Sequence, residues 1–183
     1  MSSRALTEVQ DASGADAVRL RDLHVTTWAD TYRGLLAPGF YAERLVHHRL
    51  RDWERLVGKQ AEVGGGVLVA REAEALLGLC QYGPTEDEDD SASQVGHIHR
   101  LYVHPAAQGR GVGTALLGAA TARLSRDGAR SLTLWALGDD PRARVFYEHR
   151  GWYADGARRF DGALDVRYRR APAQDPTGAF RHG

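Results

Sequence analysis

The stretch Gln108-Gly109-Arg110-Gly111-Val112-Gly113-Thr114-Ala115-Leu116-Leu117 decides how this chain folds. It follows a strand-like run, Ile98 to Val103, through a turn at His104-Pro105, and it opens a helix. Glycines at 109, 111 and 113 let successive backbone N–H groups turn toward one point without Cβ obstruction. A helix that begins there adds unpaired N–H groups and the positive end of its dipole. Such a corner suits an anion, above all a pyrophosphate. Arg110 brings a mobile positive charge to it.

Around this segment the composition is that of a soluble globular chain. Its 183 residues suffice for one α/β domain, read over residues 1–170, with a Pro-, Ala- and Gly-containing surface extension over 171–183. The 24 basic and 24 acidic residues balance, so no global field favours nucleic acid or an anionic membrane. Cys80, the only cysteine, lies in an apolar run and reads as a buried strand residue, which excludes an intrachain disulfide. No apolar stretch has the length of a membrane span, and Met1 to Gln10 lacks a signal-peptide core. A cytoplasmic location is the expectation.

The elements fall in a consistent order. Ala5 to Val9 reads as a short strand, Ala15 to Arg33 as a helix, and Tyr41 to Val57 as a second helix with Leu45, Val46, Leu50, Trp53 and Leu56 on one face. Gly64 to Gly66 reads as a turn, and Val67–Ala70 with Ala75–Gln81 as a hairpin. The acidic run Glu86 to Asp90 reads as a solvated, mobile loop. Val95 to Val103 is a strand, Gly111 to Arg126 a helix closed by Gly128, and Ser131 to Leu137 a strand. Pro141 opens a helix through Glu148, and Gly151–Tyr153 and Leu164–Tyr168 are the last strands.

Two familiar templates for a glycine corner fail. A Walker loop ends in Gly-Lys-Ser/Thr, and no lysine is present here. A dinucleotide fingerprint needs G-x-G-x-x-G near the first strand, whereas this G-x-G-x-G lies late in the chain.

Gln108-x-x-Gly111-x-Gly113 instead resembles the acetyl-CoA signature of the GNAT superfamily of N-acetyltransferases, Gln/Arg-x-x-Gly-x-Gly/Ala, at every position. About thirty residues on, Asp140-Pro141-Arg142-Ala143-Arg144-Val145-Phe146-Tyr147-Glu148-His149-Arg150-Gly151-Trp152 resembles the second signature, N-x-x-A-x-x-F-Y-x-x-x-G-F. The resemblance implies an α/β fold, a central mixed sheet flanked by helices, with acetyl-CoA as co-substrate and no metal. It implies that Leu101, Tyr102 and Val103 meet the pantetheine arm and that the Val103 N–H polarises the thioester carbonyl. Gln108, Gly109, Arg110, Gly111, Val112, Gly113 and Thr114 would hold the pyrophosphate, with Asp140 and Arg144 also on the cofactor side. Tyr147 would protonate the leaving thiolate. The family has Asn where this chain has Asp140; Asp keeps the acceptor oxygen but lacks the amide donor, so capping the following helix is the preferred reading.

The base is open between His97 and His99, which share a face of the central strand. A metal site with His104 lacks a carboxylate or thiol at ligand spacing. Trp28, Tyr32 and Trp135 either wall the acceptor pocket or are core. The acceptor expected is a small-molecule primary amine, with a protein N-terminus or lysine as alternative, as is a noncatalytic acyl-CoA-binding role. The family resemblance also raises a homodimer.

Overall fold

In the computed structural model, which describes residues 7–62 and 64–172, strand β4 (Val95–Val103) is where the sheet changes sense. It pairs antiparallel with β3 (Ala75–Pro84) on one side and parallel with β5 (Ser131–Leu137) on the other. A parallel neighbour requires a crossover. Helix α4 (Val112–Arg126) supplies it, beginning just after the glycine corner. The seven-stranded sheet is completed by β1 (Glu8–Asp11), β2 (Gly66–Glu72), β6 (Tyr153–Phe160) and β7 (Leu164–Arg170), in the order β1-β2-β3-β4-β5-β7-β6.

One face of the sheet buries the apolar stripe of α4, Val112, Leu116, Leu117, Ala120 and Leu124, against Leu68, Cys80, Ile98, Leu132 and Leu134. Gly78 permits the close approach, since a Cβ there would lie 2.8 Å from the Tyr102 carbonyl oxygen and 2.9 Å from Leu116 Cδ1. The opposite face carries α1 (Ala17–Tyr32) and α3 (Trp53–Glu62), which bury Leu20, Leu23 and Trp53 on Val67, Val69 and Leu79.

Strand β4 contains an extra residue. Gln81 lies opposite Arg100 and Tyr82 opposite Ile98, leaving His99 without a partner across the strand pair. Such a bulge shifts the alternation of faces. Ile98 therefore shares the α4-side core with Leu101 and Val103, while Tyr102 packs into the core on the other side. Counting back by alternation from Tyr102 and from Ile98 puts Arg100 and His99 on that other face together.

Two sequence expectations need correction. The helix expected over Tyr41–Val57 is two helices, α2 (Pro38–Arg49) and α3, separated at 50–52. Asp52 accepts from the Arg55 N–H at 2.9 Å and starts α3 as a side-chain cap, which offers the backbone an alternative to a continuous helix. Its break leaves Leu50 79% exposed while Trp53 is 2% exposed, so the expected single apolar face does not form. The first strand starts at Glu8, Ala5 and Leu6 lying outside the described residues, as do residues 173–183 of the expected extension.

Candidate active site

Parallel pairing of β4 with β5 runs only from Val95/Ser131 to Ile98/Leu134. Beyond that register the strands part, and the β5-facing backbone of Leu101 to Val103 has no strand partner among the described residues. The His104 N–H points to β3, bonding the Leu77 carbonyl at 2.8 Å. By alternation the Val103 N–H and carbonyl point the opposite way, into the opening. Gln108 Nε2 donates to that carbonyl at 3.3 Å, which ties the glycine loop to the parted strand.

The opening widens into a cleft of about 670 Å³. At one end Gly109, Gly111, Val112, Gly113 and Thr114 line it. Gly109 (φ 73°) and Gly111 (φ 86°) adopt left-handed backbone, a conformation costly for any residue with a Cβ. Gly111 is the N-cap of α4 and its carbonyl takes the first helical bond from the Ala115 N–H at 3.0 Å. The N–H groups before Ala115 are left for a ligand, at the positive end of the α4 dipole.

The cations at this corner differ from those expected. Arg110 does not line the cleft; it pairs with Glu72 at 2.6 Å. Arg144 is also away from the wall, bonded to the Tyr168 hydroxyl at 3.3 Å. Arg150 and Arg142 line the cleft instead. Arg150 donates to Thr114 Oγ1 and the Phe146 carbonyl, both at 2.6 Å, and lies 3.8 Å over the Phe146 ring. An Arg three residues after Tyr147 on the turn that closes α5 (Pro141–Glu148) was visible in the sequence, but only the fold puts that turn beside the α4 N-terminus.

Asp140 caps α5, accepting from the Arg142 and Ala143 N–H groups at 3.0 and 3.3 Å, and it also lines the cleft. The cap orients α5 so that Tyr147 faces the cleft between the two strands. Burial first, then the nearby Cys80, Tyr102 and Asp140, pushes the Tyr147 phenol well above its ordinary value, so it holds its proton at neutral pH.

His99 lines the cleft and His97 does not. His97 is buried against β5, its Nδ1 2.8 Å from Thr133 Oγ1, and burial with the His99 charge pushes its pKa down to about 3. His99 is also shifted down, chiefly by burial, with Glu86 and Asp87 pulling the other way. Tyr32 and Trp135 line the cleft, whereas Trp28 is a core residue stacked between Tyr32 (4.9 Å) and Tyr41 (5.2 Å). His48, Arg100, Thr27 and Thr31 complete the wall on the α1 side. Thr27, Thr31 and His48 lie in helices with no recognisable motif, and Arg100, although on the central strand, gives no local sign of which face it takes.

The acidic run is exposed at Glu86, Glu88 and Asp89, as its charge suggests, but it is tethered by ion pairs to β7. Arg167, 5% exposed, holds Asp89 at 2.6 Å and Asp155 at 2.8 Å, and Arg169 holds Asp90 at 2.8 Å and Asp155 at 3.0 Å. Asp87 accepts from Trp135 Nε1 at 3.0 Å, fixing the indole at the cleft wall. The period of two in β7 puts both arginines on one face, beneath a loop nearly eighty residues earlier. Local charge density cannot reveal such a partner.

No helix among the described residues is long and apolar enough to cross a membrane. The model of the acetyltransferase (GNAT) family matches residues 22–152. YuaI of Bacillus subtilis, an uncharacterised N-acetyltransferase, is 26% identical over 78% of each chain. A mycothiol acetyltransferase of Parafrankia is 39% identical over 100 residues, 54% of this chain but only 28% of that protein, so most of the relative's length has no counterpart in the match. The crystal structure of the PaiA N-acetyltransferase of Thermoplasma acidophilum with coenzyme A superposes with a TM-score of 0.73, covering 91% of this chain and 99% of that one at 18% identity. With its parted β4 and β5, its glycine corner at the start of α4 and a family match over most of its length, the chain belongs to the acetyltransferase (GNAT) family.

Proposed function

We propose that this enzyme transfers the acetyl group of acetyl-CoA directly to a small primary amine, with Tyr147 as general acid. One observation carries the reading: the glycine corner, the outward Val103 N–H and Tyr147 all border one cleft. A volume of about 670 Å³ is within the range of small-molecule and cofactor sites. The corner residues Gly109 to Thr114 would take the pyrophosphate, with Arg150 and Arg142 beside them. The Val103 N–H would bond the thioester oxygen, a fixed donor worth roughly 3 kcal/mol as negative charge develops there.

The amine must lose a proton to attack, and of His97 and His99 it is His99 that lies on the cleft wall to receive it. The new C–N bond forms as the C–S bond breaks, and the sulfur leaves as thiolate. Tyr147 gives its phenolic proton to that sulfur and is reprotonated from solvent.

Free thiol released from acetyl-CoA over a panel of amines tests this reading. Turnover with small primary amines is expected. Acetyl-CoA binding with no thiol released by any amine would overturn it, and turnover confined to peptides would move the acceptor to a protein N-terminus or lysine.

A further inference from the structure

The α1 side of the cleft carries polar groups that nothing among the described residues satisfies. Thr27 is 3% exposed and lines the cleft, yet its Oγ1 has no hydrogen-bond partner among the described residues. His48 Nδ1, on the same wall, is likewise buried without a partner. Arg100 lines the wall between them and the glycine end. Among the described residues its hydrogen-bond acceptor is the neutral Gln81 Oε1, and it forms no ion pair. Other arginines here do have carboxylates: Arg71, Arg110, Arg123, Arg159, Arg167 and Arg169 are all paired.

Behind this wall stands a second uncompensated cation. Arg51 has a buried Nε with no partner among the described residues, and burial together with the charge of Arg100 pushes its pKa down to about 10. The same two arginines, after burial, help push His48 to about 4. Tyr102 and Glu86 exert a field on Arg100, but no carboxylate among the described residues contacts it. Burying like charges without a counter-ion is costly, and an anion bound between them would remove that cost. A guanidinium presents its donors in a planar fork that matches a carboxylate.

The geometry points to an acceptor amine that carries a carboxylate, held by Arg100 with Thr27 and His48. This rests on the acetyl-transfer reading of the same cleft. The β4 bulge gives it a further basis, since it sets His99 and Arg100 side by side on one face instead of on opposite faces. With both side chains on one face of the cleft wall, a substrate carboxylate at Arg100 would have its amine on the same wall as His99.

The test compares matched acceptors: short amino acids, their carboxamides and the corresponding aminoalkylphosphonates, each followed as thiol released from acetyl-CoA. The acids should exceed their carboxamides in kcat/KM by at least roughly tenfold, because a polar site discriminates strongly against a ligand that leaves it unpaired. Arg100→Gln should bring that ratio close to one, Arg100→Lys should keep part of it, and Thr27→Val should lower it less. If Arg100→Gln does not fold, the Arg100→Lys and Thr27→Val ratios decide. Carboxamides as good as acids, an unchanged ratio in a folded Arg100→Gln, or phosphonates better than carboxylates would each overturn the assignment. If no amine is acetylated, acetyl transfer to amines fails separately. Calorimetry with N-acetyl amino acids and their carboxamides on the CoA-loaded protein then still decides, equal affinity for the two ruling out the carboxylate subsite.

Discussion

Tyr147 lines the cleft from α5 while its ring packs near Tyr168 (6.0 Å) and Trp152 (6.3 Å). That packing separates its two contributions. Phe keeps the ring and removes only the hydroxyl, so packing changes little while the proton donor is lost. Positioned acid catalysis contributes about 10²- to 10⁴-fold. Tyr147→Phe should therefore lower kcat about a hundredfold or more, with acetyl-CoA affinity within about threefold of the parent. Steady-state kinetics with a thiol readout, alongside a direct titration of acetyl-CoA, measures both. A large loss of affinity with kcat preserved would return Tyr147 to a structural role. The second signature made this residue legible because it sits in a local helix motif. Arg100, Thr27 and His48 were not legible, since their grouping depends on a strand bulge and on two helices packing across the sheet.

At the scale of elements, the acidic loop and β7 form a single unit. Arg167 and Arg169 sit over four aspartates, Asp87, Asp89, Asp90 and Asp155, and through Asp87 the unit positions Trp135. Burial of Asp155 opposes its ionisation, but the Ala157 N–H and the two arginines outweigh this and hold its carboxyl below the usual range. Removing the loop acids would leave Asp155 to hold both guanidiniums, a weaker compensation of two largely buried charges. Replacing Asp87, Asp89 and Asp90 together by Asn should lower the midpoint of a urea titration and loosen Trp135, visible as a shift in tryptophan fluorescence. No change in either would mean that the loop is solvated after all. The strands and α4 were legible because their apolar periods are local, and α5 because Pro141 and Asp140 mark its start. The loop was misjudged for the opposite reason: its charges are compensated from a distant strand. The α2–α3 break was missed because apolar spacing over 41–57 continues through a residue, Asp52, whose side chain caps α3.

The molecule as a whole has formal zero net charge, yet its response to acid is set by a few buried imidazoles, not by that balance. His24 is fully buried against His48, Trp53 and Tyr102, with both ring nitrogens unpartnered among the described residues. Burial, aided by the charges of His48, Arg100 and Arg51, pushes its pKa down to about 2, beside about 3 for His97 and about 4 for His48. In the unfolded chain each ring takes a proton near pH 6.5. Between those limits the unfolded state therefore holds more protons than the folded one, and stability rises with pH. It is complete above about 6.5 and falls as the pH drops toward the folded-state values. A fully buried histidine such as His24 contributes a slope of about 1.4 kcal/mol per pH unit. Depressed carboxyls such as Asp155 act in the same sense, but only below about pH 4. Unfolding at pH 5 should accordingly take up about three protons per molecule on the imidazoles, and the melting temperature should drop steeply from pH 7 to pH 5. Scanning calorimetry in buffers of different ionisation enthalpy reads both quantities. His24→Phe, which fills the site without a titrating group, should remove about one of those protons and flatten the pH profile accordingly. A melting temperature independent of pH between 5 and 7 would show instead that these histidines are protonated in the folded protein.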